Sequence, residues 1–211
     1  MRRRFCVWFW VVAALGLVLL AGSCGLTPVP PEPVPATDEE TYFTPSKEIT
    51  ATEDLHLTGD PPEVDIASYR LRIEGLVDEP LSLTYQEILD YPTVTEVVLL
   101  ICPTVFQDNA EWTGVPVWVL LTEAGVQEGA TDVTFRALPT PPLADYPGTA
   151  EARPYFATVP LDEVMGNDSI FLAHNVNGEV LPEEHGYPLR VVAKDRFGYD
   201  WVKWVASIEV E

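Results

Sequence analysis

The sequence predicts an α+β domain made of mixed β-sheets with short helices. Extended apolar segments outnumber helical ones, and the two kinds do not alternate regularly, which disfavours a doubly wound parallel sheet. The length of 211 residues and the hydrophobic content of 47% suffice for one buried core, and no internal repeat is visible. We therefore expect one globular domain, over residues 46–211, behind an N-terminal extension.

The domain begins with short strands. Apolar and charged side chains alternate over residues 66–77, a pattern typical of a strand with one exposed face. A second extended piece is expected at residues 81–83, and Thr84 can cap a brief helix that ends at Leu89. Next, an apolar, β-branched run at residues 94–101 predicts a buried central strand, with Cys102 at its exit.

The second half contains a helix and further strands. Residues 115–124 end at Gly125, which indicates a helix with a glycine stop. The remaining predicted elements are strands at residues 132–137, 169–173, 189–193 and 207–210, and a short helix at residues 161–165.

The N-terminus has the layout of an export signal over residues 1–23. Three arginines precede sixteen uncharged, mostly apolar positions and then small residues. Cys24 follows directly, and this arrangement resembles a bacterial lipobox, in which the cysteine is lipidated. A plain secreted protein and a retained signal anchor are the alternatives. The arginines also match the core of a twin-arginine signal, which leaves that route and general secretion open.

Residues 24–45 are expected to form a tether. Prolines at positions 28, 30, 31, 33 and 35 favour polyproline II and oppose packed structure. Such a segment serves as a semi-rigid spacer. With lipidation at Cys24, the prediction is a protein anchored to the outer face of the cell membrane.

The charge is strongly acidic. Thirty-three acidic residues face twelve basic ones, and three of the bases belong to the signal. A surface of this kind repels phosphate backbones, so we expect no nucleic-acid partner. We expect a monomer that acts on a small molecule.

Cys102 is the single cysteine of the expected domain. Exported domains usually pair their cysteines, so a lone thiol requires an explanation. Core packing, a catalytic or metal-binding thiolate, and a bridge to Cys24 all remain open from the residues alone.

Four of the nine bases outside the signal lie in one short stretch near the C-terminus, beside His185. This concentration suggests an anionic ligand, although pairing with nearby acids is the alternative. The four bases are Arg190, Lys194, Arg196 and Lys203. Motifs typical of zinc, Walker-type nucleotide, dinucleotide and GxSxG hydrolase sites are absent from the sequence.

The order of these motifs resembles the molybdopterin-binding domain of the sulfite oxidase family. The resemblance rests on YRLRIEGLVDEPLSLTYQEIL, a strand ending in Cys102, EWTGVPVWVLLTEAG, LPEEHGYPLRVV, FGYDWVKWV and a terminal IEV. It covers roughly residues 50 to 211. It implies the family's α+β fold and a molybdopterin cofactor that carries molybdenum.

The resemblance also implies roles for individual residues. Cys102 matches the cysteine whose thiolate binds molybdenum, and soft sulfur suits such a metal. The residues that match cofactor contacts are His185, Arg190, Gly198 and Lys203, with His56 near the family's N-terminal contact.

The implied activity is a two-electron oxygen-atom transfer on a small extracytoplasmic substrate. The family's sulfite oxidases place arginines after the cysteine, whereas residues 103–111 contain no base. A neutral or cationic sulfoxide or N-oxide therefore fits better than sulfite. The family's exported sulfoxide reductases take electrons from a haem membrane partner, which implies a partner of that kind. The alternative is a non-catalytic binding module that keeps the fold.

Overall fold

The structure is a computed structural model that describes residues 48–139 and 155–211. The predicted signal, Cys24 and the tether at residues 24–45 lie outside the described residues. In the described part, no helix is long and apolar enough to cross a membrane. Residues 48–139 and 155–211 form ten strands and three short α-helices, which confirms the predicted α+β class. The strands are β1 (Leu71–Gly75), β2 (Leu81–Leu83), β3 (Val94–Cys102), β4 (Phe106–Pro116), β5 (Asp132–Ala137), β6 (Phe156–Pro160), β7 (Ile170–Val176), β8 (Glu179–Val180), β9 (Arg190–Ala193) and β10 (Val205–Val210).

The first sheet contains five strands in the order β2-β1-β10-β5-β6. The β1 and β10 strands pair in parallel, and the other neighbours pair antiparallel. The predicted strand at residues 66–77 is shorter in the structure and begins at Leu71. Because β10 is the central strand, the C-terminal segment is tied to the start of the domain.

The second sheet has the order β3-β4-β7-β8, and β9 pairs with β7. All of its pairs are antiparallel. The prediction of a central strand at residues 94–101 is wrong, because β3 is an edge strand and only part of it is buried. A β-branched apolar run is compatible with either position, and sequence alone does not say which strands flank it.

The helices follow their predicted signals. Helix α1 (Tyr85–Leu89) has a capping box in which Thr84 and Glu87 exchange hydrogen bonds. Helix α2 (Val117–Ala124) ends at Gly125, which adopts the left-handed conformation at φ 70°. Helix α3 (Leu161–Val164) is a single turn.

Two strands of five or more residues, β4 and β6, were not predicted. In β4, the polar residues Gln107, Asp108, Asn109 and Glu111 hide the alternation expected of a strand. The strand nevertheless pairs with β3 from Phe106 to Gly114. The hairpin of β3 and β4 places Cys102 at its turn.

One hydrophobic core joins both sheets. Among its fully buried members are Ile73 and Ile208 of the first sheet and Trp112, Phe171 and Leu172 of the second. Burial of side chains this large dominates the stability of a domain of this size. The site described below lies where β3, β4, β9 and the segment before β10 meet.

Candidate active site

Cys102 lies at the end of β3, in the turn to β4. The backbone N–H of Val105 donates to the Cys102 carbonyl at 3.0 Å, and Thr104 adopts a positive φ of 65°. The thiol is free and only partly buried. The full burial that a core-packing role would give is therefore not observed.

The segment around Gly198 reaches the same end of β3. Phe197 forms an isolated parallel bridge with Ile101, the residue before Cys102. A Cβ on Gly198 would lie 3.1 Å from Cδ1 of Leu100 and 3.4 Å from the Ile101 carbonyl oxygen, which is a tight contact. Glycine at this position allows the backbone to approach the strand that carries Cys102.

The four clustered bases divide into two pairs. Lys194 is ion-paired with Glu96 at 2.8 Å, and Arg196 contacts Glu163 at 3.0 Å and Asp200 at 3.1 Å. For these two, the alternative of pairing with neighbouring acids is the correct interpretation. Arg190 and Lys203 are buried, and neither has a carboxylate within ion-pair distance among the described residues.

Arg190 begins β9 and is 6% exposed. Its Nη1 donates to the His185 carbonyl at 3.2 Å, whereas its Nε has no hydrogen-bond partner in the described structure. The guanidinium carbon lies 5.1 Å from the ring centroid of Trp112 and 5.6 Å from that of Trp201. Burial lowers the pKa of Arg190 to about 10, and the charge of Asp108 opposes this shift.

Lys203 precedes β10 and is 7% exposed. Its Nζ donates to the carbonyl oxygens of Thr58 and Glu184, the second at 2.8 Å, and lies 4.5 Å from the ring centroid of Trp204. Burial lowers the pKa of Lys203 to about 7, and the positive charge of Arg190 lowers it further. Two buried cations that share no carboxylate are costly unless an anion completes the site.

The side chains of Arg190 and Lys203 both pack against Gly186. It adopts φ +119°, and a Cβ there would lie 3.1 Å from Cβ of Arg190 and 3.2 Å from Cβ of Lys203. The adjacent His185 is 3% exposed, and its Nδ1 has no hydrogen-bond partner in the described structure. Burial, and then the charge of Arg190, lower the pKa of His185, so the ring is neutral at neutral pH.

His56 lies beside the Cys102 turn. Its ring stacks on Phe106 at a centroid distance of 4.4 Å, and Phe106 is the direct strand partner of Cys102. Its Nδ1 is 2.8 Å from Oδ1 of the buried Asp108, and its backbone N–H donates to Oδ2 at 2.9 Å. The Nε2 atom is left for other partners. The predicted cofactor contact through His56 stays a prediction.

The fold thus brings together residues that are far apart in the sequence. His185, Arg190 and Lys203 form one buried cluster. Trp201, which contacts Arg190, donates its backbone N–H to the Gly198 carbonyl, and Gly198 lies against Leu100 and Ile101. His56 lies at the turn that carries Cys102. Sequence reasoning missed three residues that shape the site: Asp108, Trp112 and Trp201. Trp112 lies in the quoted EWTG motif and Trp201 in FGYDW, so each had a signal, but neither had a predicted contact.

The donor set fits a cofactor that is anionic and carries a soft metal. Within residues 48–139 and 155–211, no three His, Cys, Asp or Glu residues converge to hold a metal ion. One free sulfur at Cys102 can add a single soft ligand to a metal that arrives with its other ligands. The unpartnered nitrogens of His185 and Arg190 and the cation of Lys203 suit a phosphate.

A family model described as the oxidoreductase molybdopterin binding domain matches residues 58–211. The match spans the strands, the Cys102 turn and the buried cations. It therefore covers nearly all of the site described above, although His56 lies just before it.

Relatives with assigned or proposed activities are similar over most of the chain. The protein-methionine-sulfoxide reductase catalytic subunit MsrP of Gluconobacter oxydans is 31% identical over 194 residues, which cover 89% of this chain and 59% of that protein. Human mitochondrial sulfite oxidase is 29% identical over 203 residues, covering 85% of this chain and 35% of that protein. The chain thus spans about three fifths of the first relative and about a third of the second.

A solved structure has a similar fold. The crystal structure of the sulfane dehydrogenase SoxCD from Paracoccus pantotrophus matches with a TM-score of 0.61 and 26% sequence identity. The match covers 93% of this chain and 56% of that chain.

Proposed function

Because the chain belongs to the oxidoreductase molybdopterin-binding domain family, we propose that it is a molybdenum-dependent oxidoreductase that transfers an oxygen atom in a two-electron reaction. The observation that carries this proposal is the buried pair Arg190 and Lys203, which has no carboxylate partner among the described residues, together with the free thiol of Cys102. A structural role alone would leave two buried charges uncompensated.

The chain's own residues divide the work of binding the cofactor. Arg190 and Lys203 neutralise the phosphate through charge-assisted hydrogen bonds, and neutral His185 offers its free Nδ1 as a further contact. Cys102 supplies the single protein sulfur to the metal. Molybdopterin, when bound, supplies a dithiolene-held molybdenum that can exchange two electrons and one oxygen atom.

The aromatic residues keep water away from this cluster. Trp112 is fully buried, Trp201 is 2% exposed and Trp204 is 5% exposed, and each contacts one of the two cations. Excluding water strengthens the interaction between these cations and an anionic ligand. The same three rings fix where the cations stand before the ligand binds.

The proposed reaction is reduction of a sulfoxide or an N-oxide rather than oxidation of sulfite. Residues 103–111, which follow the thiol, contain no base, and the chain carries a formal charge of -21. An anionic substrate would be repelled by this field. The MsrP relative is named as a sulfoxide reductase, which supports the same substrate class. In such a reaction, sulfoxide takes up two electrons and two protons and yields sulfide and water.

The location and partners are also proposals. The basic N-terminus, the apolar run and Cys24 support an exported protein with a lipid anchor on the outer face of the membrane. In this arrangement, the tether at residues 24–45 holds a monomeric domain at residues 46–211. A membrane or haem protein supplies the electrons. Replacing Cys24 with Ser should release the protein from the membrane fraction without changing the ultraviolet–visible spectrum of the bound cofactor.

The test of the proposed function is metal and pterin analysis of the full chain, made in a host that synthesises the cofactor. We expect stoichiometric molybdenum and pterin in the wild-type protein. Cys102→Ser should lose the ultraviolet–visible absorption that arises from a thiolate bound to molybdenum. Val180→Ser, a change at an exposed valine on β8, is the matched control and should leave the cofactor unaffected. A folded wild-type protein that contains neither molybdenum nor pterin would favour the non-catalytic binding module.

A further inference from the structure

Exposed apolar and aromatic side chains surround the turn that carries Cys102. Leu57 is 64% exposed, Val105 70%, Tyr155 49% and Tyr199 58%. We refer to these four residues as the collar. Large hydrophobic side chains scattered singly on a surface need no explanation, but a group of them near one free thiol does.

The local structure holds two of these residues at the turn. Val105 is part of the turn itself, because its N–H donates to the Cys102 carbonyl at 3.0 Å. Leu57 follows His56, whose ring is stacked on Phe106, and Phe106 is the strand partner of Cys102. Both side chains are therefore exposed within a few residues of the thiol.

The other two collar residues, Tyr155 and Tyr199, come from the second half of the domain. The hydroxyl of Tyr155 donates to the Tyr199 carbonyl at 2.5 Å, which locks the two segments together. The ring of Tyr199 lies 5.8 Å from that of Phe197, and Phe197 is bridged to Ile101. Tyr155 is half exposed, so its ring presents an uncharged surface beside Tyr199.

Two charged groups near the collar already have partners of their own. Arg196 is paired with Glu163 and Asp200, and Asp108 is covered by His56. Because the hydroxyl of Tyr155 is already bonded, the surface that this residue presents to a ligand is mainly its ring. The collar therefore offers apolar contact rather than ion pairing.

We propose that the collar is the specificity surface of this site, and that it selects sulfoxides carrying an apolar alkyl or aryl substituent. This inference rests on the proposed function and deepens it. Tyr199 and Val105 contact the substituent, while Tyr155 positions Tyr199. The reaction served is sulfoxide plus two electrons and two protons to sulfide plus water, with the electrons supplied by a one-electron reductant in two steps.

The test compares two substrates in the full-chain holoprotein. The probes are methyl p-tolyl sulfoxide, which has an aryl group, and dimethyl sulfoxide, which has none, each with reduced benzyl viologen as electron donor. Tyr199→Ala should lower kcat/KM for the aryl sulfoxide by about tenfold and for dimethyl sulfoxide by less than about twofold. Val105→Ser should act in the same direction with a smaller effect.

A matched control separates the collar from general surface effects. Val180 is 59% exposed on β8, at the opposite side of the second sheet from β3. Val180→Ser should therefore leave both substrates unchanged. Equal losses on both substrates in Tyr199→Ala, or a loss in Val180→Ser matching that in Val105→Ser, would overturn the collar proposal.

A binding measurement tests the collar independently of turnover. Equilibrium dialysis of methyl p-tolyl sulfide against the wild-type protein should show binding that Tyr199→Ala weakens and Val180→Ser does not. Binding with this pattern in a protein that turns over no sulfoxide would retain the collar and reject the proposed reaction. Turnover with no difference between the two variants, and no sulfide binding, would reject the collar alone.

Discussion

The guanidinium of Arg190 is stacked near the indole of Trp112, with Cζ 5.1 Å from the ring centroid. Trp112 is fully buried, so this cation–π contact lies inside the protein rather than at its surface. Such a contact stabilises a cation by about 0.5 to 2 kcal/mol, which does not offset the full cost of removing the charge from water. The charge of Arg190 therefore remains available to an anionic ligand.

Replacing Arg190 with Met should separate binding from stability. We expect the pterin content of the purified protein to fall about tenfold or more, because a charge-assisted contact to phosphate is lost. The melting temperature of the cofactor-free protein should stay the same or rise, because an uncompensated buried charge is removed. The measurements are pterin fluorescence after oxidation and thermal unfolding.

The control for this prediction is Arg136→Met on the first sheet. Arg136 is partly exposed and is ion-paired with Glu209 at 2.6 Å. This variant should keep its pterin. If Arg190→Met lowers the melting temperature of the cofactor-free protein and keeps its pterin, then Arg190 has a structural role only.

Because Lys203 is buried, we predict that the stability of the cofactor-free protein depends on pH. Its folded pKa of about 7 lies below the ordinary value of 10.5, so between these values the unfolded chain binds more protons than the folded one. The free energy of unfolding should therefore rise with pH from about 7 to about 10.5, with a slope of at most about 1.4 kcal/mol per pH unit from this group. Below pH 7, the full cost of burying the cation is present.

Urea unfolding of the cofactor-free wild-type and of Lys203→Met across this pH range isolates the effect. The free energy of unfolding of the wild type minus that of Lys203→Met should rise as the pH increases from about 7 to about 10.5. Lys194→Met is the matched control, because Lys194 is paired with Glu96 near the surface and its pKa is raised instead. A flat difference curve for Lys203→Met would show that folding does not lower the pKa of Lys203.

Because His56 and Asp108 are in contact, we predict that substitutions at the two residues have non-additive effects on stability. Removing the ring in His56→Ala takes one partner from a buried carboxylate, which should cost about 1 to 3 kcal/mol. In the Asp108→Asn background, the same change should cost less, because no charge is left unpaired. A double-mutant cycle measured by urea unfolding gives the coupling energy. Additive effects of the two changes would contradict this prediction.

The side chain of Asn177 binds the segment before β1, and we predict that its removal loosens that segment. Its Nδ2 donates to the Thr50 carbonyl at 2.9 Å and to the Thr52 hydroxyl at 3.1 Å, and its Oδ1 accepts from the Glu111 N–H. Asn177 has a positive φ of 49°, so Asn177→Gly removes the side chain without straining the backbone. We expect a loss of about 1 to 3 kcal/mol and faster proteolysis near Thr50.

The control is Asn167→Gly, which adds the same backbone freedom at an exposed turn. Within the part of the chain that the structure describes, Asn167 bonds only to nearby residues, the Glu163 carbonyl and the Ser169 N–H. Proteolysis near Thr50 should not change in this variant. Equal cleavage rates in the two variants would show that Asn177 does not hold the segment.

Local signals were sufficient for the short-range elements. The helix after Thr84 and the stop at Gly125 follow from capping and from the φ preference of glycine, which depend on a few neighbouring residues. The strand at Asp132–Ala137 was predicted with its observed bounds. These elements need no knowledge of distant partners.

Elements with distant partners were predicted less well. The β4 strand was missed because Asp108 and Asn109 are polar, yet their partners are His56 and residues 48–50, which lie more than fifty positions earlier. The edge position of β3 was also missed. No local pattern distinguishes an edge strand from a central one when both are apolar.

By itself, the sequence determined the α+β class, the lone domain thiol and the concentration of bases near the C-terminus. Only the tertiary structure decided which of these bases are buried with no carboxylate partner among the described residues, namely Arg190 and Lys203, and which are neutralised, namely Lys194 and Arg196. The physical reason is that charge type is local, whereas burial and pairing depend on which strands meet. The chain folds so that the side chains of Arg190 and Lys203 both lie against Gly186, while Gly198 lies against the end of the strand that carries Cys102.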